Sequence, residues 1–227
     1  MSVNPAIITA TPLFAGISEE AAAELAPHLT VVDLQHGSEL FHEGDEGDRF
    51  FVLTGGKLKL GRAAQDGREN LIAVLGPGEM LGELTLFDPG QRTATATAVT
   101  DARLIALSHH DMTVWISQHP EVAQHLLRAL AKRLRRTNES LADLVFSDVP
   151  GRVAKALLDL AKRFGSRTDE GIRVRHGLTQ EELAQLVGSS RETVNKALAD
   201  FAGRGWLRLE NRGVVLFDIG RLERRAR

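Results

Sequence analysis

An arginine and a glutamate stand side by side at Arg191 and Glu192, directly after Ser190, and Lys196 follows one helical turn later. A guanidinium can donate two hydrogen bonds to O6 and N7 of guanine, and a carboxylate can accept one from N4 of cytosine. Adjacent residues of these two types can therefore read adjacent bases. The pattern indicates recognition in the major groove of DNA, provided that a helix presents it.

Two helices are predicted at this point by their start signals. Thr179 with Glu182, and Ser189 with Glu192, each match the S/T-x-x-E capping box, so the two helices should begin ten residues apart. Gly188 can adopt the positive φ of a tight turn between them. The seam between the helices is small and apolar: Leu183, Ala184, Val187, Val194 and Ala197. This is a helix-turn-helix pattern, and the alternative is a helical pair that merely packs.

The C-terminal part has two further properties of a DNA-binding module. Two short apolar runs between Gly205 and Phe217 flank Asn211-Arg212-Gly213, which predicts a hairpin and a candidate wing. Residues 151–227 contain 16 Lys/Arg and 10 Asp/Glu (net +6), whereas residues 1–150 contain 12 and 20 (net −8). A basic excess attracts phosphates, although a solvated basic surface is the alternative. We expect one half of the chain to contact DNA and the other to do something else.

Composition excludes several classes of protein. The 227 residues allow two domains with their own cores, and the absence of cysteine excludes disulfides, thiolate zinc sites and Cys-ligated iron-sulfur clusters. No apolar run is long enough to span a membrane, and no signal peptide is visible, so we expect a cytoplasmic protein. The eight histidines do not cluster with carboxylates, which predicts no metal and no enzyme. The neighbouring His109 and His110 carry no functional signal.

Residues 13 to 117 differ from the C-terminal part. After a short helical stretch near Ser18 to Ala26, turn glycines recur every several positions. Between them lie short apolar runs typical of strands: Phe50–Leu53, Leu58–Leu60, Leu71–Leu75 and Leu104–Leu107. This spacing predicts a compact antiparallel β-barrel or roll.

One segment of the β-rich part has the chemistry of an anion pocket. Gly82 permits a ligand to approach the backbone, and a single helical turn could begin at Glu83-Leu84-Thr85, with its free N–H groups directed at an anion. Arg92 adds a planar cation and Thr93 a hydroxyl, a pair that suits a phosphate. A carboxylate beside a phosphate site is explained if Glu83 accepts a hydrogen bond from a sugar hydroxyl. The predicted ligand is therefore a nucleotide with little charge. A Glu-Arg surface pair around a Pro-Gly turn explains the same residues.

A heptad pattern follows from Pro120 onward and predicts a long helix that pairs with its own copy. Thr137 is the polar residue within it, and it could either fix the register or, with Asn138, meet the edge of a ligand base. The seam residues are spaced alternately by four and three: Ala123, Leu127, Leu130, Leu134, Thr137, Leu141 and Leu144. The sequence therefore predicts a homodimer.

Together these motifs resemble the CRP/FNR family of transcriptional regulators, in its cyclic AMP receptor protein branch and closest to the actinobacterial type. The likeness runs from about Leu13 to the C-terminus. Its motifs are Gly82-Glu-Leu with Arg92-Thr-Ala, Thr137-Asn138, Asp148-Val-Pro-Gly-Arg152, and Ser190-Arg-Glu-Thr-Val194. The resemblance implies an α+β chain in three parts: a cyclic-nucleotide-binding β-roll of jelly-roll type (1–117), a dimerisation helix (118–147) and a winged helix-turn-helix (148–227).

The resemblance also implies roles for individual residues. In the ligand site, Glu83 would bind the ribose of cyclic AMP, Arg92 and Thr93 with nearby backbone amides the phosphate, and Thr137 with Asn138 of the partner subunit the adenine. Gly82 and Leu84 belong to the same segment, and Ile72 and Ala73 align with the strand beside the purine. The residues implied at DNA are Thr179, Gln180, Ser190, Arg191, Glu192 and Lys196.

The implied partners are double-stranded DNA with a palindrome of TGTGA-like half-sites, a second copy of the chain, and RNA polymerase. The loop Gly165–Gly171 aligns roughly with the region of the family that contacts polymerase. Three departures from the family pattern bear on these roles. The interval from Gly82 to Arg92 is one residue shorter and contains Pro89, Asn138 replaces the usual serine, and Pro150 stiffens the hinge at Ser147 to Gly151. A regulator that is independent of ligand, or that binds another small molecule, remains the alternative.

Overall fold

The computed structural model describes residues 4–63 and 69–226, with residue 69 described by its backbone alone. The chain divides into two compact units, each with its own hydrophobic core. The first unit contains Met1–Arg62 and Ala73–Arg135, and the second contains Ala63–Ile72 and Arg136–Arg227.

Eight strands form two four-stranded sheets, whose orders are β1-β8-β3-β6 and β2-β7-β4-β5. The strands are β1 (Thr30–Leu34), β2 (Glu39–Phe41), β3 (Arg49–Gly55), β4 (Leu58–Ala63), β5 (Glu69–Leu75), β6 (Met80–Leu81), β7 (Thr95–Ala98) and β8 (Ala102–Ser108). All four predicted apolar runs lie in strands, and the predicted β-roll is confirmed.

The strand β3 shows why its sequence is a continuous apolar run. Side chains of a strand alternate between its two faces. Phe50 and Val52 face the core beneath the N-terminal helices, whereas Phe51 and Leu53 face the core that β4, β6, β7 and β8 share. Because both faces are buried, no polar residue interrupts the run.

In the described part of the chain, five α-helices accompany these strands: α1 (Pro5–Thr9), α2 (Glu19–Leu25), α3 (Leu84–Phe87), α4 (His109–Gln118) and α5 (Pro120–Phe146). The predicted short helix is α2, and Ser18 caps it by accepting a hydrogen bond from the Ala21 amide at 3.1 Å. The single helical turn predicted after Gly82 is α3. It connects β6 to β7 and places Glu83 at its N-terminus.

The long helix α5 is apolar on two faces. Val122 and Leu126 are buried in the core of the first unit. Leu127, Leu134 and Leu141 repeat every seven residues and are 65%, 62% and 58% exposed. A repeat of seven keeps these leucines on one stripe of the helix. Four leucines of the predicted seam, Leu127, Leu134, Leu141 and Leu144, are therefore exposed, whereas Ala123 and Leu130 are partly buried.

The second unit contains α6 (Val149–Phe164), β9 (Gly165–Thr168), β10 (Gly171–Val174), α7 (Gln180–Val187), α8 (Arg191–Gly203), β11 (Leu207–Glu210), β12 (Gly213–Leu216) and α9 (Ile219–Arg225). Its strands form one antiparallel sheet in the order β11-β12-β10-β9. Glu210 pairs with Gly213, so Asn211 and Arg212 form the predicted wing turn, and Arg212 has a φ of +51°.

Two local predictions are wrong. The second helix-turn-helix cap is Ser190, whose hydroxyl accepts from the Thr193 amide at 3.3 Å, and not Ser189. The side chain of Glu192 bonds Lys196 instead of completing a capping box. The segment Gly165–Gly171 is the strand β9 with a two-residue turn, and not a loop. Its polar side chains do not alternate with apolar ones, so nothing local indicated a strand.

The connection between α5 and α6 is only Ser147 and Asp148. Asp148 caps α6 by accepting from the Gly151 amide at 3.0 Å, and it also forms an ion pair with Arg225 of α9. Pro150 lies in the first turn of α6, where its missing N–H leaves no helical hydrogen bond unmade. No helix in the described part of the chain has the length and apolar character needed to cross a membrane.

Candidate functional site

Gly82 determines how closely other groups approach the start of α3. Its φ is +82°, a conformation that L side chains rarely adopt. A Cβ atom there would lie 2.6 Å from the Arg49 carbonyl oxygen and 2.6 Å from Nη1 of Arg92. Only glycine therefore allows the Arg92 guanidinium to lie against this backbone.

Glu83 is a buried carboxylate with one paired oxygen and one unpaired oxygen. The residue is 1% exposed. Its Oε1 accepts a hydrogen bond from Nη1 of Arg133 at 2.6 Å, whereas Oε2 is buried without a partner. Leaving a buried charged oxygen unpaired is costly, so the site suits a ligand that brings a donor such as a hydroxyl.

Arg92 is a buried cation, 5% exposed, beside the same segment. It donates to the Arg49 carbonyl at 2.8 Å and to Oγ1 of Thr85 at 3.3 Å, and its guanidinium carbon lies 4.5 Å from the centre of the Phe41 ring. Its Nε is buried without a partner. Burial lowers the pKa of Arg92, and the carboxylates of Asp48 and Glu83 oppose that shift. An arginine remains charged under these conditions.

Glu83 and Arg92 line one cavity of about 40 Å³. Its walls are Phe41, Leu60, Leu81, Gly82, Glu83, Leu84, Thr85, Arg92, Thr93, Ala94 and Arg133. This volume accommodates a few water molecules and not a nucleotide. A nucleotide would therefore extend beyond this cavity, which is open to solvent.

The cavity brings together five of the nine residues predicted for the ligand: Gly82, Glu83, Leu84, Arg92 and Thr93. The other four do not line it. Ile72 is 48% exposed on β5 and Ala73 is partly buried, while Thr137 and Asn138 are exposed on α5.

Sequence reasoning missed Arg133. Arg133 lies on α5, its side chain is 35% exposed, and it forms an ion pair with Glu83. One signal was available, because Arg133 precedes Thr137 by four residues and the two therefore lie on one face of the helix. Nothing local indicated its partner, which is 50 residues away in the sequence.

The helix-turn-helix is built from α7 and α8. Thr179 and Glu182 form the predicted capping box at the start of α7, and Gly188 ends that helix with a φ of +68°. Val194 and Ala197 of α8 are buried against α7. All six residues predicted to contact DNA are exposed: Thr179, Gln180, Ser190, Arg191, Glu192 and Lys196.

Arg152 joins the hinge to the turn before α8. Its guanidinium donates to the carbonyls of Ser147 at 2.7 Å, Val187 at 3.0 Å and Gly188 at 3.3 Å. The carbonyls at the end of a helix lack intrahelical partners, so a cation stabilises them. One side chain thereby orients the end of α5, the start of α6 and the end of α7.

Family models match both halves of the chain. The model of the cyclic nucleotide-binding domain matches residues 31–119, and that of the Crp-like helix-turn-helix domain matches residues 151–225. The first range contains the cavity segment with Glu83 and Arg92. The second contains α7, α8 and the wing.

Several relatives match nearly the whole chain. A CRP-like cAMP-activated global transcriptional regulator of Mycobacterium tuberculosis is 54% identical over 221 residues, which cover 97% of this chain and 99% of that protein. A cyclic AMP receptor protein of Thermus thermophilus is 36% identical over 213 residues, covering 94% and 95%. The solved structure of a c-di-GMP responsive global regulator of Xanthomonas campestris has a TM-score of 0.76 at 25% identity, covering 88% of this chain and 99% of that chain.

The first of these relatives is named as a regulator of transcription, and the second as a receptor of cyclic AMP. The helix-turn-helix is the DNA-binding part of such proteins, and the β-roll is the part that binds a cyclic nucleotide. The chain therefore belongs to the CRP/FNR family of transcriptional regulators, in its cyclic AMP receptor protein branch.

Proposed function

We propose that this chain is a cyclic AMP-responsive regulator that binds palindromic TGTGA-like DNA sites as a homodimer. Its parts are the nucleotide-binding β-roll (1–117), the dimerisation helix (118–147) and the winged helix-turn-helix (148–227). The carrying observation is the pair of buried opposite charges, Glu83 and Arg92, which line one cavity and each have a buried polar atom without a partner.

The chemistry of that pair suits a cyclic nucleotide. Oε2 of Glu83 accepts from the ribose 2′-hydroxyl, which satisfies an oxygen that is otherwise buried and unpaired. Arg92, with the exposed hydroxyl of Thr93, holds the cyclic phosphate, whose single negative charge matches one guanidinium. Gly82 and Leu84 contribute their backbone to the nucleotide site. Thr137, with Asn138 of the partner subunit, reads the adenine edge, and Ile72 and Ala73 flank the purine.

Arg133 closes the unliganded site. Its bond of 2.6 Å to Glu83 neutralises a carboxylate that would otherwise be buried and unpaired. The ribose hydroxyl binds the other oxygen, Oε2, so Arg133 and the ligand share one carboxylate. Because Arg133 lies on α5, ligand binding changes the contacts of the dimerisation helix directly.

The exposed leucine stripe on α5 supports a homodimer. Leu127, Leu134 and Leu141 are more than half exposed, and a surface helix of a monomer rarely presents such a continuous apolar stripe. A second copy buries it by knobs-into-holes packing. Dimerisation also places two recognition helices roughly 34 Å apart, the spacing of successive major grooves.

At each half-site Arg191 and Glu192 read base pairs, and Thr179, Gln180 and Ser190 contact phosphates. Nζ of Lys196 forms an ion pair with Oε1 of Glu192 at 2.7 Å, and both side chains are about three-quarters exposed. Water weakens such a pair, so DNA can separate it at little cost. Cyclic AMP favours the dimer arrangement that fits DNA and raises DNA affinity by its differential binding to the two states.

The test is fluorescence anisotropy on a labelled TGTGA palindrome and on a scrambled duplex, at one salt concentration, with and without cyclic AMP. We expect tighter binding to the palindrome when cyclic AMP is present, together with a dimer in light scattering. A strictly monomeric protein, or equal affinity for both duplexes, would refute the proposal.

A different small-molecule effector is the second candidate. The amide of Asn138 can both donate and accept, so it can pair with guanine as well as adenine. The structural neighbour from Xanthomonas campestris is also named for its response to c-di-GMP. Thermal shift with cyclic AMP, cyclic GMP and c-di-GMP discriminates these effectors, and equal operator binding without any of them indicates a ligand-independent regulator.

A further inference from the structure

His109 lies behind the cavity wall. It is half-buried at the first position of α4, and its Nε2 is 3.2 Å from the carbonyl oxygen of Gly82. A carbonyl only accepts, so Nε2 carries the hydrogen and donates it. The backbone amide of His109 is anchored as well, because it donates to the carbonyl of Asp48 at 3.0 Å. The ring is therefore fixed against the peptide that precedes Glu83.

Gly82 is held from two sides. On one side are the Arg49 carbonyl and the Arg92 guanidinium, which leave no room for a Cβ atom. On the other side, Nε2–H of His109 donates a hydrogen bond to the Gly82 carbonyl oxygen. Glu83 follows directly, and its carboxylate must face the cavity to meet a ligand. A residue that fixes the Gly82 carbonyl also fixes the direction in which the Glu83 side chain leaves the backbone.

We propose that His109 is a positioning residue of the nucleotide site, which aligns Gly82 and Glu83 through its Nε2–H and couples nucleotide binding to proton uptake by its ring. This inference rests on the proposed binding of cyclic AMP. His109 does not touch the ligand and acts through the Gly82 carbonyl and the charge of Arg92.

The direction of the coupling follows from the surrounding charges. Burial lowers the pKa of His109 from its ordinary 6.5, the Gly82 carbonyl opposes this, and the positive charge of Arg92 lowers it further. An anionic phosphate bound at Arg92 offsets that positive charge and raises the pKa of the ring. Binding then takes up a proton in the range below pH 6.5, and affinity for cyclic AMP rises as the pH falls through that range. The charged groups that act on the ring are Arg92 and Asp48, and the backbone carbonyls of Gly82 and Arg49 accept hydrogen bonds that raise its pKa.

The experiment is isothermal titration of the full-length protein with cyclic AMP at about pH 6 and about pH 8, in buffers of different ionisation enthalpy. The variants are His109→Leu, which removes the donor, and His109→Gln, which keeps an N–H near Nε2 but does not titrate. His110→Gln is the matched control, because His110 is the exposed neighbour on the same turn. Thermal unfolding confirms that each variant is folded.

At about pH 8, His109→Leu should weaken cyclic AMP binding about three- to tenfold, the effect of one lost hydrogen bond, and His109→Gln should stay within about twofold. At about pH 6, wild type and His110→Gln should bind more tightly with proton uptake, and both His109 variants should lose that uptake. Proton uptake that persists in His109→Gln, or wild-type affinity in His109→Leu, overturns the inference alone. Failure of the wild-type protein to bind cyclic AMP overturns the proposed ligand and this inference with it.

Discussion

The two polar sites of this chain differ most in their exposure to water. In the cavity, Glu83 and Arg92 are 1% and 5% exposed, and each lacks a partner for one polar atom. On α8, Lys196 and Glu192 are 75% and 77% exposed and bond each other. Buried charges interact strongly and are costly to leave unpaired, whereas exposed ones are screened. The Glu83 and Arg92 side chains are therefore shielded from water, whereas those of Glu192 and Lys196 lie at the surface.

The largest expected effect is at Arg92. Arg92→Gln should weaken cyclic AMP binding at least about 100-fold, because it removes charge-assisted hydrogen bonds to the phosphate. Titration calorimetry measures the loss, and thermal unfolding checks the fold. Arg103→Gln is the control, since Arg103 forms an exposed pair with Asp33 on the same domain and its loss should change affinity less than about twofold. Equal effects of the two changes would contradict the assignment of Arg92.

On the exposed side, Arg191→Ala should cost about 1 to 3 kcal/mol at a cognate half-site and much less on random DNA. The measure is anisotropy on both duplexes at equal salt. Arg204→Ala is the matched control, because Arg204 lies just after the C-terminal end of the same helix, is also exposed and pairs with the exposed Asp200. If Arg191→Ala weakens both duplexes alike, the residue contacts only phosphate.

Arg152 is half-buried, so its exposure to water lies between that of Arg92 and that of Arg191. Arg152→Lys keeps the charge but cannot reach three carbonyls with one planar group, and it should lower the free energy of unfolding by about 1 to 2 kcal/mol. It should also weaken operator binding, since the turn before α8 loses its support. Urea unfolding and anisotropy measure the two effects. Lys162→Arg on the same helix, at an exposed position, should cost less than about 0.5 kcal/mol.

The smallest effect concerns Asp148 at the hinge. The hydrogen bond from Arg225 holds the pKa of Asp148 below its ordinary 3.8. The folded state has the lower pKa, so the pair stabilises it above about pH 4 and this contribution disappears as the pH falls through the folded value. Asp148 is 60% exposed, which limits the contribution to about 0.5 kcal/mol.

Asp148→Asn keeps the helix cap and should therefore remove only this pH-dependent part of stability. Urea unfolding at several acidic pH values compares it with wild type, and Arg225→Gln should behave in the same way. Parallel loss of stability in Asp148→Asn and wild type on acidification would show that the pair contributes nothing.

Short-range patterns determined most of what could be predicted. The strand β3 was predicted because burial on both faces requires an uninterrupted apolar run, and α7 because Thr179 and Glu182 satisfy its first amides. Gly188 was predicted to take a positive φ for the same local reason. Such features depend on residues within a few positions of one another, which a sequence shows directly.

The contacts that shape the sites depend on tertiary structure alone. Arg133 meets Glu83 across 50 residues, Arg152 meets Val187 across 35, and His109 meets Gly82 across 27. Spacing in the sequence carries no information about such pairs, because folding of the whole domain brings their elements together. The sequence by itself determined which charged residues are present and which local elements hold them. Only the packed structure decided which of those charges are buried, and which groups they bond.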